Sequence, residues 1–194
     1  MIVEVTEDRE CDLATYATIS IAYEVHEILD VSRSSAVPNG FTLEARALGT
    51  RYVKDYDADG GGPEMWASRF DLSHWRIFVA RAQGRRVGGA AVVFRALDVE
   101  MLGADRELAL LWDIRVAPDA RGGGVGSALM AAAEAWAGAN GARWLEVETQ
   151  NVNVPACRFY SARGFVLHAA NPHAYSSLPN EMQLLWRKTL HPAV

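Results

Sequence analysis

Arg121-Gly122-Gly123-Gly124-Val125-Gly126 lies between a β-branched apolar run and an Ala-rich one, and the rest of the chain is read outward from that junction. Upstream, Leu110-Leu111-Trp112-Asp113-Ile114-Arg115-Val116 has the composition of a strand and is broken by Ala117-Pro118-Asp119. Downstream, Val125 to Gly138 sets Val125, Leu129, Ala133 and Trp136 at helical spacing. Glycines at such a junction let backbone N–H groups approach a ligand with no Cβ in the way. The first N–H groups of a helix lack internal partners, and the helix dipole makes that end positive. Strand, glycine turn and helix start together make a site for a phosphate or pyrophosphate; the competing reading is an ordinary glycine-rich turn. No Lys-Ser/Thr pair closes a P-loop, and no G-x-G-x-x-G register fits. The pattern present is Arg-x-x-Gly-x-Gly.

A second element follows. Glu146-Val147-Glu148-Thr149-Gln150-Asn151 reads as the end of a strand, and Asn153-Val154-Pro155-Ala156-Cys157-Arg158-Phe159-Tyr160 as a helix. Asn153 suits the N-cap, Pro155 the first turn, and Gly164 a left-handed residue past the C-terminus. In order and spacing the two elements resemble the GNAT family of N-acetyltransferases, with its Arg-x-x-Gly-x-Gly loop and its N-x-x-A-x-x-x-Y-x-x-x-G-F element. That resemblance implies a single α/β (α+β) domain. Its central sheet would be mixed and mostly antiparallel, with helices on both faces and a splayed fourth strand holding acyl-CoA. A closer resemblance, to the streptothricin acetyltransferase branch, rests on Thr42-Leu43-Glu44, Tyr52-Val53-Lys54-Asp55-Tyr56, Trp112-Asp113-Ile114, Glu148-Thr149-Gln150-Asn151 and Pro155-Ala156-Cys157-Arg158-Phe159-Tyr160. It implies antibiotic resistance as a role. The chain departs from that branch in Ala169-Ala170-Asn171-Pro172-His173, which leaves the acceptor open.

With 194 residues, half of them hydrophobic, the chain suits one domain with a substantial core. Residues 1–194 are read as a single N-acetyltransferase domain, variable over 1–75 and well patterned over 76–190. A net charge of -5 argues against a nucleic-acid surface. Cys11 and Cys157 are too few and too dispersed for a disulfide framework or a metal cluster. No apolar run reaches the ~18 residues of a membrane helix, and the acidic, unpatterned N-terminus does not read as a signal peptide. A cytoplasmic protein is expected, a monomer or homodimer, with no metal, no membrane and no nucleic-acid partner.

Along the chain, residues 11–31 read as weakly helical through Leu13, Tyr16, Ile19, Ala22 and Tyr23, and Phe41–Ala45 as a short strand. Asp55 to Pro63 reads as a solvated turn, because its alternating aspartates lack the closing Glu of a calcium loop. Arg76–Ala80 and Val87–Phe94 flank a Gln83-Gly84-Arg85 hairpin signal, and Gly88-Gly89 marks a bulge or a close backbone approach. Strands are further expected at 143–149, 165–169 and near 182–190, with a helix over 153–163. Of the six tryptophans most are assigned to the core; Trp112, beside Asp113, is placed to wall a cleft. Cys157 reads as a packing thiol and His168 and His173 as strand-end residues, with no metal spacing.

The resemblance implies direct transfer of acetyl from acetyl-CoA to a primary amine through a tetrahedral intermediate. Backbone groups of Ile114, Arg115 and Val116 would line pantetheine. Arg121, Gly122, Gly123, Gly124, Val125, Gly126 and Ser127 would cradle pyrophosphate, and Asn153 and Tyr160 would contact CoA. A phenol is protonated at neutral pH, so Tyr160 is the candidate general acid; the alternative is that it only anchors CoA. Two carboxylates are candidates for the base, Glu148 and Asp113, each of which could instead pair with a cation. Alternation along the strand puts Glu146 and Glu148 on one face, opposite Val147. The expected acceptor is a small cationic amine. The alternatives are a protein or peptide N-terminus or lysine, and a non-catalytic acyl-CoA sensor.

Overall fold

The computed structural model describes residues 2–10 and 12–190, so Cys11 lies outside the described residues. In chain order the elements are β1 (Glu4–Glu7), α1 (Leu13–Ala17), β2 (Tyr23–Arg33), β3 (Phe41–Lys54), α2 (Trp66–Arg69), β4 (Trp75–Ala82), β5 (Arg85–Phe94), β6 (Leu108–Val116), α3 (Val125–Ala139), β7 (Trp144–Gln150), α4 (Val154–Ser161), β8 (Val166–Asn171) and β9 (Gln183–Thr189). The chain forms two compact units. One holds residues 2–10, 12–22, 55–145 and 190; the other holds 23–54 and 146–189.

In the first unit the strands run β1-β4-β5-β6, each neighbouring pair antiparallel. Gln83 and Gly84, at φ 51° and 77°, close β4 onto β5 in a two-residue turn whose twist matches that of the strands. Adjacent residues of a strand face opposite ways, and the glycine pair of β5 shows it. A Cβ at Gly88 would lie 2.9 Å from Val125 and 3.0 Å from Leu129 of α3. A Cβ at Gly89 would fall 2.3 Å from the Tyr16 ring of α1. Helices therefore cover both faces of this sheet, and the glycines allow close approach; the register of β5 against β4 also shifts beside them, from Ala80–Gly88 to Arg81–Arg86.

On the α3 side Val125, Leu129, Met130, Ala133 and Ala137 are buried. Trp136, expected on that face, is not among them; it lies under the Arg76 guanidinium at 5.5 Å, and Ala137 takes the inward position. The other face carries Tyr16, Trp66, Trp75 and Ile77, with Phe70 and Trp112 packed against them. Ring centroids 5.2–5.6 Å apart link Tyr16, Trp66, Trp75 and Trp112 in sequence.

In the second unit β7-β9-β8 are neighbours, and β2 and β3 form a separate antiparallel hairpin. The helix expected over 11–31 is corrected here: α1 spans only Leu13–Ala17, and Tyr23–Arg33 is strand. The short strand at Phe41–Ala45 extends to Lys54. Asn151 ties this unit together. Its N–H and side-chain oxygen bond to Met182, and its carbonyl and side-chain amide bond to Leu29. No helix among the described residues is long and apolar enough to cross a membrane.

Candidate active site

The glycine loop emerges from β6 through Pro118–Ala120 and ends at Gly124, the N-cap of α3, with φ 87°. Gly122 also has positive φ, 75°, and at both positions a Cβ would meet nothing within 4 Å. These glycines are required by backbone conformation, and the space over them is open. The Ala128 N–H bonds to the Gly124 carbonyl at 3.1 Å, so the N–H groups of Val125 and Gly126 precede the first internal helix bond. The Val125 side chain is buried against Gly88 and fixes the helix start.

Arg121 donates to the carbonyls of Val116 at 3.1 Å and Ala22 at 2.8 Å. Burial lowers its pKa. Among the described residues no carboxylate pairs with it, so its charge is left for an anion. A loop with open space over left-handed glycines, helix N–H groups and an unneutralised guanidinium fits the pyrophosphate of a CoA ester.

Ala117 donates to Val87 at 2.9 Å, which makes that a hydrogen-bonded pair. Antiparallel pairs alternate, so Arg115–Gly89 is hydrogen-bonded, whereas Ile114–Ala90 and Val116–Gly88 are not. The backbone groups of Ile114 and Val116 therefore point away from β5, as a pantetheine rail requires. Those of Arg115 point into β5.

The Arg115 side chain is 1% exposed and fully engaged. It bonds to both Asp113 oxygens (3.0 and 2.7 Å), to both Asp57 oxygens (2.7 and 3.2 Å) and to the Ile19 carbonyl (3.1 Å). Burial works against its charge, but the bond to Asp113, the Asp113 charge and the bond to Asp57 prevail and raise its pKa. The Tyr16 hydroxyl donates to Asp113 at 2.6 Å, and burial together with that carboxylate pushes its pKa well up. Asp113 is thus an internal counter-ion. The turn around Asp57 is not merely solvated, since its carboxylate is turned in to Arg115. Sequence reasoning missed Asp57 and Tyr16, which lie 58 and 97 residues away from their partners Arg115 and Asp113.

In the second unit Glu146 is buried and accepts from Arg187 (2.9 and 2.7 Å) and His168 (2.7 Å). Glu148 is half-buried and, among the described residues, accepts from two neutral donors, the Tyr175 hydroxyl at 2.5 Å and the Gln183 amide at 2.9 Å. No Arg, Lys or His among the described residues reaches it as an ion pair. Asn153 caps α4, its side-chain oxygen accepting from Ala156 at 3.2 Å. Tyr160 is buried on that helix beside Phe159 and Phe165, with ring centroids at 5.6 and 5.8 Å. Cys157, on the same helix, is buried, and desolvation pushes its thiol up to about 12. Among the described residues no cluster of three or more His, Cys, Asp or Glu side chains could hold a metal.

Comparison with known proteins agrees with this chemistry. The model of the Acetyltransferase (GNAT) family matches residues 46–165. Streptothricin acetyltransferase A of Bacillus subtilis is 42% identical over 80 residues, which is 40% of this chain and 46% of that protein. This chain therefore aligns with less than half the length of that relative. Streptothricin acetyltransferase of Streptomyces lavendulae is 32% identical over 144 residues, 74% of this chain and 72% of that protein. A protein of Bacillus anthracis described as a streptothricin acetyltransferase, solved in complex with acetyl coenzyme A, has the same fold. It superposes with a TM-score of 0.79 at 23% identity, over 97% of this chain and 99% of that one. The chain belongs to the acetyltransferase (GNAT) family of acetyl-CoA-dependent enzymes.

Proposed function

We propose that the protein acetylates a primary amine on a small cationic molecule by direct attack on the thioester. The observation that carries this reading is the contrast between the two candidate bases, Asp113 and Glu148, and their neighbour Glu146. Arg115 neutralises Asp113 and Arg187 neutralises Glu146, whereas Glu148 has no cationic partner among the described residues. A half-buried carboxylate with spare lone pairs attracts an ammonium group and takes up its proton, directly or through water, as the amine attacks. Tyr160 delivers a proton to the sulfur as the C–S bond breaks. Acetyl-CoA supplies the acyl group, held by the backbone of Ile114 and Val116, by Arg121 and the N–H groups of residues 122–127, and by Asn153.

The relatives' names make a streptothricin the first candidate acceptor, with polyamines and lysine-like amines next. The same reading takes residues 1–194 as a single N-acetyltransferase domain, because the family match runs through both compact units. Turnover measured over streptothricin, aminoglycosides, polyamines, amino acids and short peptides tests it, with Tyr160→Phe run in parallel. Cationic small molecules should be fastest, and the variant should lose kcat with the acetyl-CoA affinity kept. Rates confined to acidic peptides would discard the acceptor class; equal loss of kcat and affinity would reduce Tyr160 to an anchor.

A further inference from the structure

The surroundings of Glu148 are ordered in a way that its charge alone does not explain. Tyr175 lies in the 172–182 loop between β8 and β9, which closes on itself through Leu178 to Tyr175 and Glu181 to Leu178 backbone bonds. Its hydroxyl receives the Gln150 side-chain amide at 2.9 Å and stands 2.5 Å from Glu148. An amide NH2 only donates, so the one phenolic proton is committed to the carboxylate. On the other oxygen, Gln183 presents its NH2 to Glu148 at 2.9 Å while its carbonyl accepts from Asn171 at 2.6 Å. Its amide is thereby fixed in one orientation. Two neutral chains, Gln150 to Tyr175 and Asn171 to Gln183, thus end on one carboxylate with every donor aimed at it. Each Glu148 oxygen receives one bond from them and keeps capacity for another.

We infer that Tyr175 is a positioning residue for the acceptor, assisted by Gln183 and Gln150. It fixes the rotamer of the Glu148 carboxylate so that its unused lone pairs present to the acceptor's ammonium, and it does so without a cation that would cancel the attraction. Neutral donors are the only kind that achieve both. The contrast is on the same strand face: Glu146, two residues away, is held just as firmly, but by Arg187 and His168, and so has no charge to offer. The inference rests on the proposed role of Glu148.

The test is a double-mutant cycle between Tyr175→Phe and Glu148→Gln, with streptothricin as acceptor probe or, if it is inert, the fastest amine of the panel. Tyr175→Phe should lower kcat/KM for the amine about ten- to hundred-fold, the scale of a lost near-attack orientation, with the KM for acetyl-CoA unchanged. In the Glu148→Gln background the same change should cost little more, because there is no charge left to aim. Unchanged turnover in Tyr175→Phe, or losses that multiply in full, would overturn the inference while leaving Glu148 in place. Full turnover in Glu148→Gln would instead discard the role of Glu148, and this inference with it. Gln150→Leu keeps the phenol but frees its proton, so a smaller loss with the same coupling to Glu148 is expected if Tyr175→Phe does not fold.

Discussion

Replacing Arg115 by methionine removes a cation and leaves its volume nearly filled, so the electrostatic loss can be read without a large cavity. Asp113, its side chain 7% exposed, would keep, among the described residues, the Tyr16 hydroxyl alone, and the Ile19 carbonyl would lose the Arg115 donor. Asp57, at 27% exposure, can turn to water and adds little. Breaking a buried pair from one side costs about 3–5 kcal/mol. At about 2–4 °C per kcal/mol for a chain of this size, the thermal midpoint should fall by about 6–20 °C. Circular dichroism melts and urea titrations at neutral pH measure both quantities. Adding Asp113→Asn to the Arg115→Met protein removes the stranded charge and should recover part of the loss. A midpoint within about 2 °C of the parent would show that the network contributes nothing to stability. A double variant no better than the single one would show that the stranded carboxylate is not the cause.

Acetyl-CoA should raise the melting temperature, by mass action worth about 2.7 kcal/mol at a hundred times its Kd. Gly124→Asp, which adds negative charge at a position with φ 87°, should abolish that rise; an undiminished rise would remove the loop from the CoA site. Cys157 should resist alkylation in the native protein at pH 8, checked by mass spectrometry of its peptide. Its folded pKa of about 12 lies above the ordinary value of 9.0, so the bound proton favours the fold. That stability is fully present below about pH 9 and fades as pH rises toward 12, and Cys157→Ala should flatten the decline in urea-unfolding free energy across that window. Equal slopes in both proteins would refute it.

The back of the chain was legible because local chemistry and tertiary role coincide there. Gly122 and Gly124 are demanded by backbone angle, and Asn153 caps α4 within its own turn. Of the β2–β3 hairpin only Phe41–Ala45 was legible, and most of β2 reads as helix. Its buried residues Val25 and Leu29 are four apart, which imitates a helix face, and a register shift between Val25 and Glu27 breaks the alternation that would betray a strand. Glu148 could be found through the resemblance and its place near the end of a strand, but its neutral partners could not. Tyr175 and Gln183 lie 27 and 35 residues on, where only folding brings them to β7.

The contact between Gly89 and Tyr16 ties together two positions that would otherwise be counted as independent. The aromatic ring occupies the space a first side-chain carbon at 89 would need, and its hydroxyl is committed to Asp113. Even alanine at 89 would have to evict a ring that is wholly shielded from solvent. In evolutionary terms the pair has one ordered route to change: position 16 must shrink before position 89 can grow. Drift that begins at 89 ends at once.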